Sequence, residues 1–284
     1  LLADGNRIAR TARTKGVEYT ETVAVDVVKV RAPVTDGHGH FVRGLARDAF
    51  LVYEDNAPQR ITSFASENIP LEIVVAMDVS GSMRPSMQVV KQAVKKFLSA
   101  LRPADRVTLV GFNDNVFTLT RPSVDLAARL KAVDRMTSWG GTALYDAVVK
   151  AIDQLGRQTG RRALVVFTDG EDLNSRVPEE AAERRVEASD VVLYPIGQGR
   201  APKLITLKRV LERLAQKSGG RAFFEDLDAL DDVFARIIEE LSNQYLLGYP
   251  RPDTVKDSRW RKLRVELPGR RDLKIRTRQG YRVV

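Results

Sequence analysis

Residues 71–83 read LEIVVAMDVSGSM, an apolar run that ends in alternating polar side chains. Three similar apolar runs follow, and segments with a helical repeat of apolar positions separate them. Such runs are typical of strands buried on both faces of a parallel sheet, with helices as crossovers. The four runs are 73–77, 107–112, 163–167 and 191–196. They predict an α/β domain over about residues 71–244, with a doubly wound, mostly parallel, Rossmann-like sheet.

The segments between and after these runs predict the helices of the domain. Residues 116–119 closely follow Asp114 and Asn115, which favours an antiparallel edge strand after a tight turn. Ser123 is the predicted N-cap of the next helix. The predicted helices are 87–101, 123–135, 143–155, 179–188, 204–218 and 230–244.

The flanking segments show the two-residue alternation of strands with one apolar face. Residues 21–68 contain several short strands, and residues 263–267 and 273–277 predict a C-terminal hairpin around Pro268-Gly269. Each flank lacks a partner for its apolar face. We therefore predict that 21–68 and 245–284 pack together as a small discontinuous β-sandwich, into which the α/β domain is inserted. Residues 1–20 carry little apolar periodicity and predict a flexible tail.

Composition excludes several kinds of protein and site. The chain has 284 residues, 43% apolar and 29% charged, which is an ordinary globular balance. No apolar run approaches the ~18 residues that a transmembrane helix needs. Cysteine is absent, which excludes disulfides, thiolate metal sites and cysteine nucleophiles. The two histidines, His38 and His40, lie in a glycine-flanked turn, where a solvent-exposed position is favoured over metal binding.

The net charge of +9 is concentrated at the C-terminus. Residues 251–284 hold 12 Lys and Arg against 4 Asp and Glu, while the central body is close to neutral. The basic hairpin face could meet nucleic acid or an anionic surface. Stacking aromatics do not alternate with the charges, however, and a solvated strand face that discourages edge pairing is the simpler reading.

Oxygen-bearing side chains lie directly after two of the predicted strands and in one loop. Asp78, Ser80 and Ser82 are spaced two apart after the first strand, so their side chains can converge. Thr142 follows Gly140-Gly141, and Asp169 follows the third strand. The carboxyl ends of neighbouring strands meet at the switch point of a doubly wound sheet. Oxygen-only ligation suits a hard cation such as Mg²⁺, although Asp and Ser after a strand also cap helices.

This motif resembles the metal-ion-dependent adhesion site (MIDAS) of von Willebrand factor type A (VWA) domains. The resemblance covers about residues 71–244, and all five motif positions match. The flanks, including the segment Tyr245 to Tyr249, are similar to a VWA-related domain of acidobacterial proteins. The resemblance implies that Asp78 and Asp169 supply charge to Mg²⁺, Mn²⁺ or Ca²⁺, directly or through water. It also implies neutral oxygens from the hydroxyl residues of the motif, namely Ser80, Ser82 and Thr142.

The resemblance further implies a coordination position that a partner protein fills with an Asp or Glu carboxylate. Acidic residues near the predicted rim could hold ligands or waters in place, or could simply belong to turns and the surface. Asp114, Gly141 and Asp172 are the favoured rim candidates, and Asp146 and Glu171 are weighed beside them. Trp139 either contacts the partner or packs under the loop.

Three functions follow as hypotheses. The first is a non-catalytic bacterial adhesion or protein-interaction module, which the resemblance places outside the cytoplasm. The second is nucleic-acid or anionic-surface binding through the basic hairpin. The third is a metal-dependent hydrolase or phosphoryl transferase, against which the absence of a Gly-x-Ser-x-Gly elbow and of a phosphate-binding loop counts.

Overall fold

The computed structural model describes residues 7–14, 17–24, 27–65, 70–156, 160–199, 203–251 and 258–283. Its strands are β1 (Arg7–Thr14), β2 (Val17–Ala24), β3 (Val27–Thr35), β4 (Leu51–Glu54), β5 (Ala57–Gln59), β6 (Ser63–Ala65), β7 (Leu71–Asp78), β8 (Arg106–Phe112), β9 (Val116–Ser123), β10 (Arg161–Thr168), β11 (Val192–Gly197), β12 (Gln244–Pro250), β13 (Trp260–Glu266), β14 (Lys274–Ile275) and β15 (Gly280–Arg282). Its α-helices are α1 (Met87–Ala100), α2 (Leu126–Asp134), α3 (Leu144–Leu155), α4 (Glu179–Glu187), α5 (Lys203–Ser218) and α6 (Leu230–Ser242).

The central sheet has the strand order β11-β10-β7-β8-β9. All neighbours are parallel except β9, which runs antiparallel to β8 at the edge. Side chains of β7 alternate between two cores: Ile73 and Val75 pack on the side of α1 and α6, and Val74 packs on the side of α3 and α5. Burial on both faces explains the continuous apolar runs, and the predicted doubly wound sheet is confirmed.

The flanking strands form two four-stranded sheets, ordered β14-β3-β12-β6 and β15-β13-β4-β5. Each sheet combines strands from before and after the α/β body. Their facing side chains share one apolar core, in which Phe50 and Tyr245 rings lie 5.0 Å apart between centroids. The predicted discontinuous sandwich is confirmed as part of the fold, while the residue boundaries of the domains stay a prediction.

The C-terminal strands differ from the predicted hairpin. β13 pairs with β15 and β4, whereas β14 pairs with β3 in the other sheet. Two successive turns, closed by Arg270 N to Leu267 O and Leu273 N to Arg270 O, lead the chain across the sandwich. The predicted basic face is divided as a result.

The N-terminal segment also differs from the prediction of a flexible tail over 1–20. β1 and β2 pair antiparallel, from Arg7 opposite Ala24 to Thr14 opposite Val17. Strand pairing uses backbone groups, so it needs no apolar periodicity. Residues 1–6 and 15–16 of the predicted tail lie outside the described residues.

The N-cap of α2 is Asp125 rather than Ser123, because β9 extends to Ser123. The Asp125 carboxylate accepts a hydrogen bond from Ala128 N at 3.0 Å. We expect Asp125→Ala to lower the free energy of unfolding by about 1 kcal/mol, since the backbone N–H loses its acceptor. Asp125→Asn keeps an acceptor and is the control. Urea denaturation that shows equal stability for the two variants would contradict this assignment.

None of the helices in the described ranges is both long and apolar enough to span a membrane.

Candidate functional site

Asp78 anchors the site at the end of β7 and is fully buried. Its Oδ1 accepts a hydrogen bond from Ser80 N at 2.8 Å, and its Oδ2 accepts one from Thr168 Oγ1 at 2.6 Å. Thr168 reaches it because β10 is the neighbour of β7. Burial raises the pKa of Asp78 to about 6; the hydrogen bonds from Thr168 and Ser80 oppose this shift, and the charge of Asp169 adds to it.

A row of three oxygen atoms connects the ends of β7 and β10. Ser80 Oγ lies 3.0 Å from Ser82 Oγ, and Ser82 Oγ donates to Asp169 Oδ1 at 2.7 Å. Ser80 is buried, Asp169 is half-buried and Ser82 is exposed. The row therefore leads from the interior to the surface at the carboxyl edge of the sheet.

Thr142 joins this group from the loop that precedes α3. The loop is tied to the first segment by Trp139 N to Val79 O at 2.8 Å and by Gly81 N to Gly140 O at 2.9 Å. A Cβ added at Gly170 would lie 3.3 Å from Thr142 Oγ1, which places the Thr142 hydroxyl beside the residue after Asp169. The structure thus brings all three predicted segments together at one end of the sheet.

Asp114 and Gly141 shape this loop. Asp114 Oδ1 accepts a hydrogen bond from Gly141 N at 2.9 Å. Gly140 has a φ of +76°, and an added Cβ there would lie 2.3 Å from Asp114 Oδ2. An added Cβ at Gly141 would lie 2.1 Å from Asn174 Oδ1. Asp114 therefore orients the glycine loop. The alternative from the sequence was that Asp114 belongs only to a turn.

Asp172 and Asp146 connect the loop after β10 to the start of α3. Asp172 Oδ1 accepts hydrogen bonds from Tyr145 N at 3.1 Å and from Ser175 Oγ at 2.5 Å. The Asp146 carboxylate accepts from the backbone N–H groups of Arg176 and Val177. Both acids therefore fix the loop that carries Asp169, and Glu171 is half-buried in the same loop.

Sequence reasoning missed three polar residues that support the site. Thr168 holds Asp78, Asn174 Oδ1 accepts from Thr142 N at 3.0 Å, and Asn113 Nδ2 donates to Trp139 O at 3.1 Å. Thr168 could have been found, because it is the last residue of a strand predicted to neighbour that of Asp78. Asn174 and Asn113 carry no comparable pattern.

The remaining candidates lie apart from the oxygen row or at its rim. Trp139 is 52% exposed, so it does not pack under the loop. His38 and His40 lie in an exposed turn, where Asp36 Oδ1 accepts from both backbone N–H groups at 2.9 Å. Within the described ranges, no group of three or more His, Asp or Glu side chains is placed to hold a metal ion. A cation at the strand ends would therefore need the hydroxyl oxygens.

Comparison with known proteins gives partial matches to larger proteins. The chain is 27% identical over 167 residues to mouse inter-alpha-trypsin inhibitor heavy chain H2, covering 52% of this chain and 18% of that protein. It is 31% identical over 145 residues to the Arabidopsis thaliana E3 ubiquitin-protein ligase WAV3, covering 51% of this chain and 17% of that protein. It is 27% identical over 188 residues to mouse integrin alpha-X, covering 60% of this chain and 16% of that protein. The matched part is thus less than a fifth of each relative's length.

Solved structures share the fold at low sequence identity. Proximal thread matrix protein 1 from the mussel byssus, with a zinc-occupied MIDAS motif, has a TM-score of 0.55 at 19% identity, covering 66% of this chain and 49% of that one. The von Willebrand factor type A protein from Catenulispora acidiphila has a TM-score of 0.52 at 15% identity, covering 91% of this chain and 73% of that one. The vWF domain of the type V pili tip protein Mfa5 from Porphyromonas gingivalis has a TM-score of 0.53 at 12% identity, covering 62% of this chain and 96% of that one.

The family model described as von Willebrand factor type A domain matches residues 73–171. This range begins in β7 and ends three residues after β10, so it contains all five oxygen-bearing residues of the predicted site. The matched range, the sheet order and the structural neighbours all indicate the same fold. The chain therefore carries a von Willebrand factor type A domain that includes residues 73–171.

Proposed function

We propose that the VWA domain is a non-catalytic interaction module that binds an acidic group of a partner protein through a divalent cation, Mg²⁺ in the first instance. Asp78, Ser80, Ser82, Thr142 and Asp169 would hold the ion. The ion, when bound, would supply positive charge to a carboxylate from the partner.

The spacing of the oxygen row is the observation that carries this proposal. Adjacent ligands of an octahedral Mg²⁺ with bonds of about 2.0–2.1 Å lie ~2.9 Å apart. The Ser80–Ser82 and Ser82–Asp169 oxygens are 3.0 and 2.7 Å apart. These two separations match two edges of such an octahedron, and the oxygen donors from two strand ends fit a hard cation, which supports the proposal.

The hydrogen bonds of Asp78 favour an ion with few directly bound carboxylates, which would keep a net positive charge at the site. Both of its carboxylate oxygens already accept hydrogen bonds, from Ser80 N and Thr168 Oγ1. Asp78 would then act through water, and Asp169, at the surface end of the row, would be the carboxylate that contacts the ion beside neutral hydroxyls. A cation with few anionic ligands retains affinity for a further anion, which favours a partner carboxylate.

Ser82→Ala tests the metal site. We expect the variant to bind Mg²⁺ at least about tenfold more weakly than the wild type in isothermal titration calorimetry, because one oxygen of the row is removed. Mn²⁺ and Ca²⁺ titrations compare the alternative ions. The control is Ser86→Ala, a half-buried serine in the next turn whose hydroxyl bonds to Met83 O. A wild type that binds none of the ions, or an unchanged Ser82→Ala, would refute the site.

Partner recognition needs a separate measurement. Immobilised peptides with a central Asp or Glu, compared with their Asn or Gln counterparts, should retain the protein only in Mg²⁺ and release it in EDTA. Retention by the amide peptides as well would show that the carboxylate is not the group recognised.

The basic-surface alternative loses support from the way the C-terminal cations are used. Arg261 and Arg278 are buried, Arg276 bonds to Glu240, and Arg264 pairs with Glu266. An extended face of unpaired positive charge, which nucleic acid would need, is therefore not present among these residues.

We also propose that the protein acts outside the cytoplasm. The pili tip protein Mfa5 and an aerotolerance-related membrane protein of Bacteroides fragilis share its fold, which supports an envelope or surface role. Fractionation of the producing cells with an antibody against the chain tests this location.

A further inference from the structure

A cavity of about 410 Å³ lies between the sandwich and the VWA domain, away from the oxygen row. One wall comes from the start of β3 and from residues 278–283 of the sandwich. The other comes from the start of β10 and from residues 188–191, between α4 and β11. Its volume falls within the ~300–1,000 Å³ of small-molecule sites in proteins.

The walls of this cavity are strongly cationic. Among the described residues that line it, six carry positive side chains and one, Asp190, carries a carboxylate. The cations are Lys29, Arg162, Arg185, Arg251, Arg278 and Arg282. A concave, single-sign surface of this kind concentrates anions.

The inner end of the cavity gathers arginines around Asp190. Arg162 forms an ion pair with the Asp190 carboxylate, and Arg31 donates to the Asp190 carbonyl from behind the wall. Arg278 is only 8% exposed beside them. Burial lowers the pKa of Arg31 to about 10, Asp190 opposes this shift, and the charges of Arg162 and Arg278 add to it. One carboxylate therefore faces three guanidinium groups.

Part of this charge has a structural use. Arg278 donates to Ser189 O at 2.8 Å and to Lys29 O at 2.9 Å, which ties the VWA domain to β3. At the rim, Arg185 pairs with Asp153 and Arg282 pairs with Glu187. When these two acids are counted with Asp190 and Arg251 is set aside, the lining cations still exceed the carboxylates by two.

Two of the inner arginines are also incompletely hydrogen-bonded. The Nε–H groups of Arg162 and Arg278 are buried and have no hydrogen-bond partner among the described residues. A buried N–H group without an acceptor destabilises the fold by about 1–3 kcal/mol. A bound anion would supply acceptor oxygens and further negative charge beside these arginines.

We propose that this cavity binds a small, multiply charged molecule bearing phosphate groups. Guanidinium groups present forked donors that match phosphate oxygens, and two excess charges call for more than one anionic group. Because both the sandwich and the VWA domain line the cavity, the bound anion would hold the two parts together. The site is independent of the metal site proposed above.

Calorimetry with inorganic pyrophosphate, in EDTA and at low ionic strength, tests the proposal without the metal site. We expect the wild type to bind with a dissociation constant below about 1 mM. Arg185→Gln and Arg282→Gln should each weaken binding about tenfold or more, because each removes a charged donor at the rim. These variants are preferred to Arg278→Gln, which breaks the ties to Ser189 and Lys29. The control is Arg270→Gln, an exposed arginine paired with Asp272.

Each contrary result overturns the proposal. Failure of the wild type to bind pyrophosphate at about 1 mM would show that the cationic walls serve only structure. Equal weakening by Arg270→Gln would show that overall charge, rather than this cavity, attracts the anion. Tighter binding of citrate than of pyrophosphate would assign the cavity to carboxylates instead of phosphates.

Discussion

Asp78→Asn should weaken Mg²⁺ binding by about 100-fold while the fold survives. The substitution removes the buried negative charge next to the oxygen row. The asparagine Oδ1 can still accept from Ser80 N, and its amide N–H can donate to Thr168 Oγ1, whose own hydroxyl hydrogen can turn toward Gly170 O, 3.3 Å away. The hydrogen-bonded shell of Asp78 therefore persists without its charge.

Calorimetry measures the affinity, and thermal denaturation with and without Mg²⁺ gives an independent result. At an Mg²⁺ concentration 100 times the wild-type dissociation constant, the wild type should gain ~2.7 kcal/mol of stability, and the variant, which binds 100-fold more weakly, should gain only about 0.4 kcal/mol. Asp153→Asn, an exposed aspartate paired with Arg185, is the control and should behave as the wild type. Wild-type Mg²⁺ affinity in Asp78→Asn would show that this charge plays no part in binding.

Alanine is a less informative replacement at this position. Asp78→Ala would leave the Ser80 N–H buried without its acceptor, at a cost of about 1–3 kcal/mol, and would leave the Thr168 hydroxyl only its longer hydrogen bond to Gly170 O. It would also leave a cavity in a fully buried strand end. A loss of Mg²⁺ binding in that variant could then reflect a moved strand end, whereas in Asp78→Asn it reports the charge.

The convergence of the site could be predicted because it depends on topology. A continuous apolar run predicts a strand buried on both faces, and β7 and β10 prove to be parallel neighbours. Polar residues directly after these strands, such as Asp78 and Asp169, must then meet at one edge of the sheet. The same argument applies to Thr142, whose loop precedes the helix that crosses between the two halves.

The features that could not be predicted depend on side-chain contacts between loops. Asn174 supports Thr142 across 32 positions of the sequence, and no periodicity marks it. The strand pairing of β13 and β14 was also missed, because alternation identifies a strand and its apolar face but not the sheet that it joins. Two adjacent alternating segments predict a hairpin unless the connecting turns redirect the chain.

The sandwich contains a buried polar cluster centred on Glu54, at the end of β4. Its Oε2 accepts hydrogen bonds from Tyr249 Oη at 2.5 Å and Tyr281 Oη at 2.9 Å, and its Oε1 lies 3.8 Å from Arg261 Nε. Glu54 and the Arg261 side chain are 6% and 1% exposed. Tyr249 belongs to β12 in one sheet, and the other three residues belong to the second sheet. Glu54 therefore connects the two sheets through polar contacts inside an apolar core.

Glu54→Ala should lower the free energy of unfolding by about 3–5 kcal/mol, because it leaves the buried Arg261 charge without this carboxylate and removes the acceptor of two buried hydroxyl groups. Glu54→Gln keeps an acceptor but not the charge, so its loss should be intermediate. Glu266→Ala is the matched control: this glutamate is 42% exposed and pairs with Arg264 on the surface, so its removal should change stability by less than about 1 kcal/mol. Guanidinium chloride denaturation of the three variants measures these differences. If Glu54→Ala were no less stable than Glu266→Ala, the contacts of Glu54 would not hold the two sheets together, and the apolar core between them would have to account for the stability of the sandwich by itself.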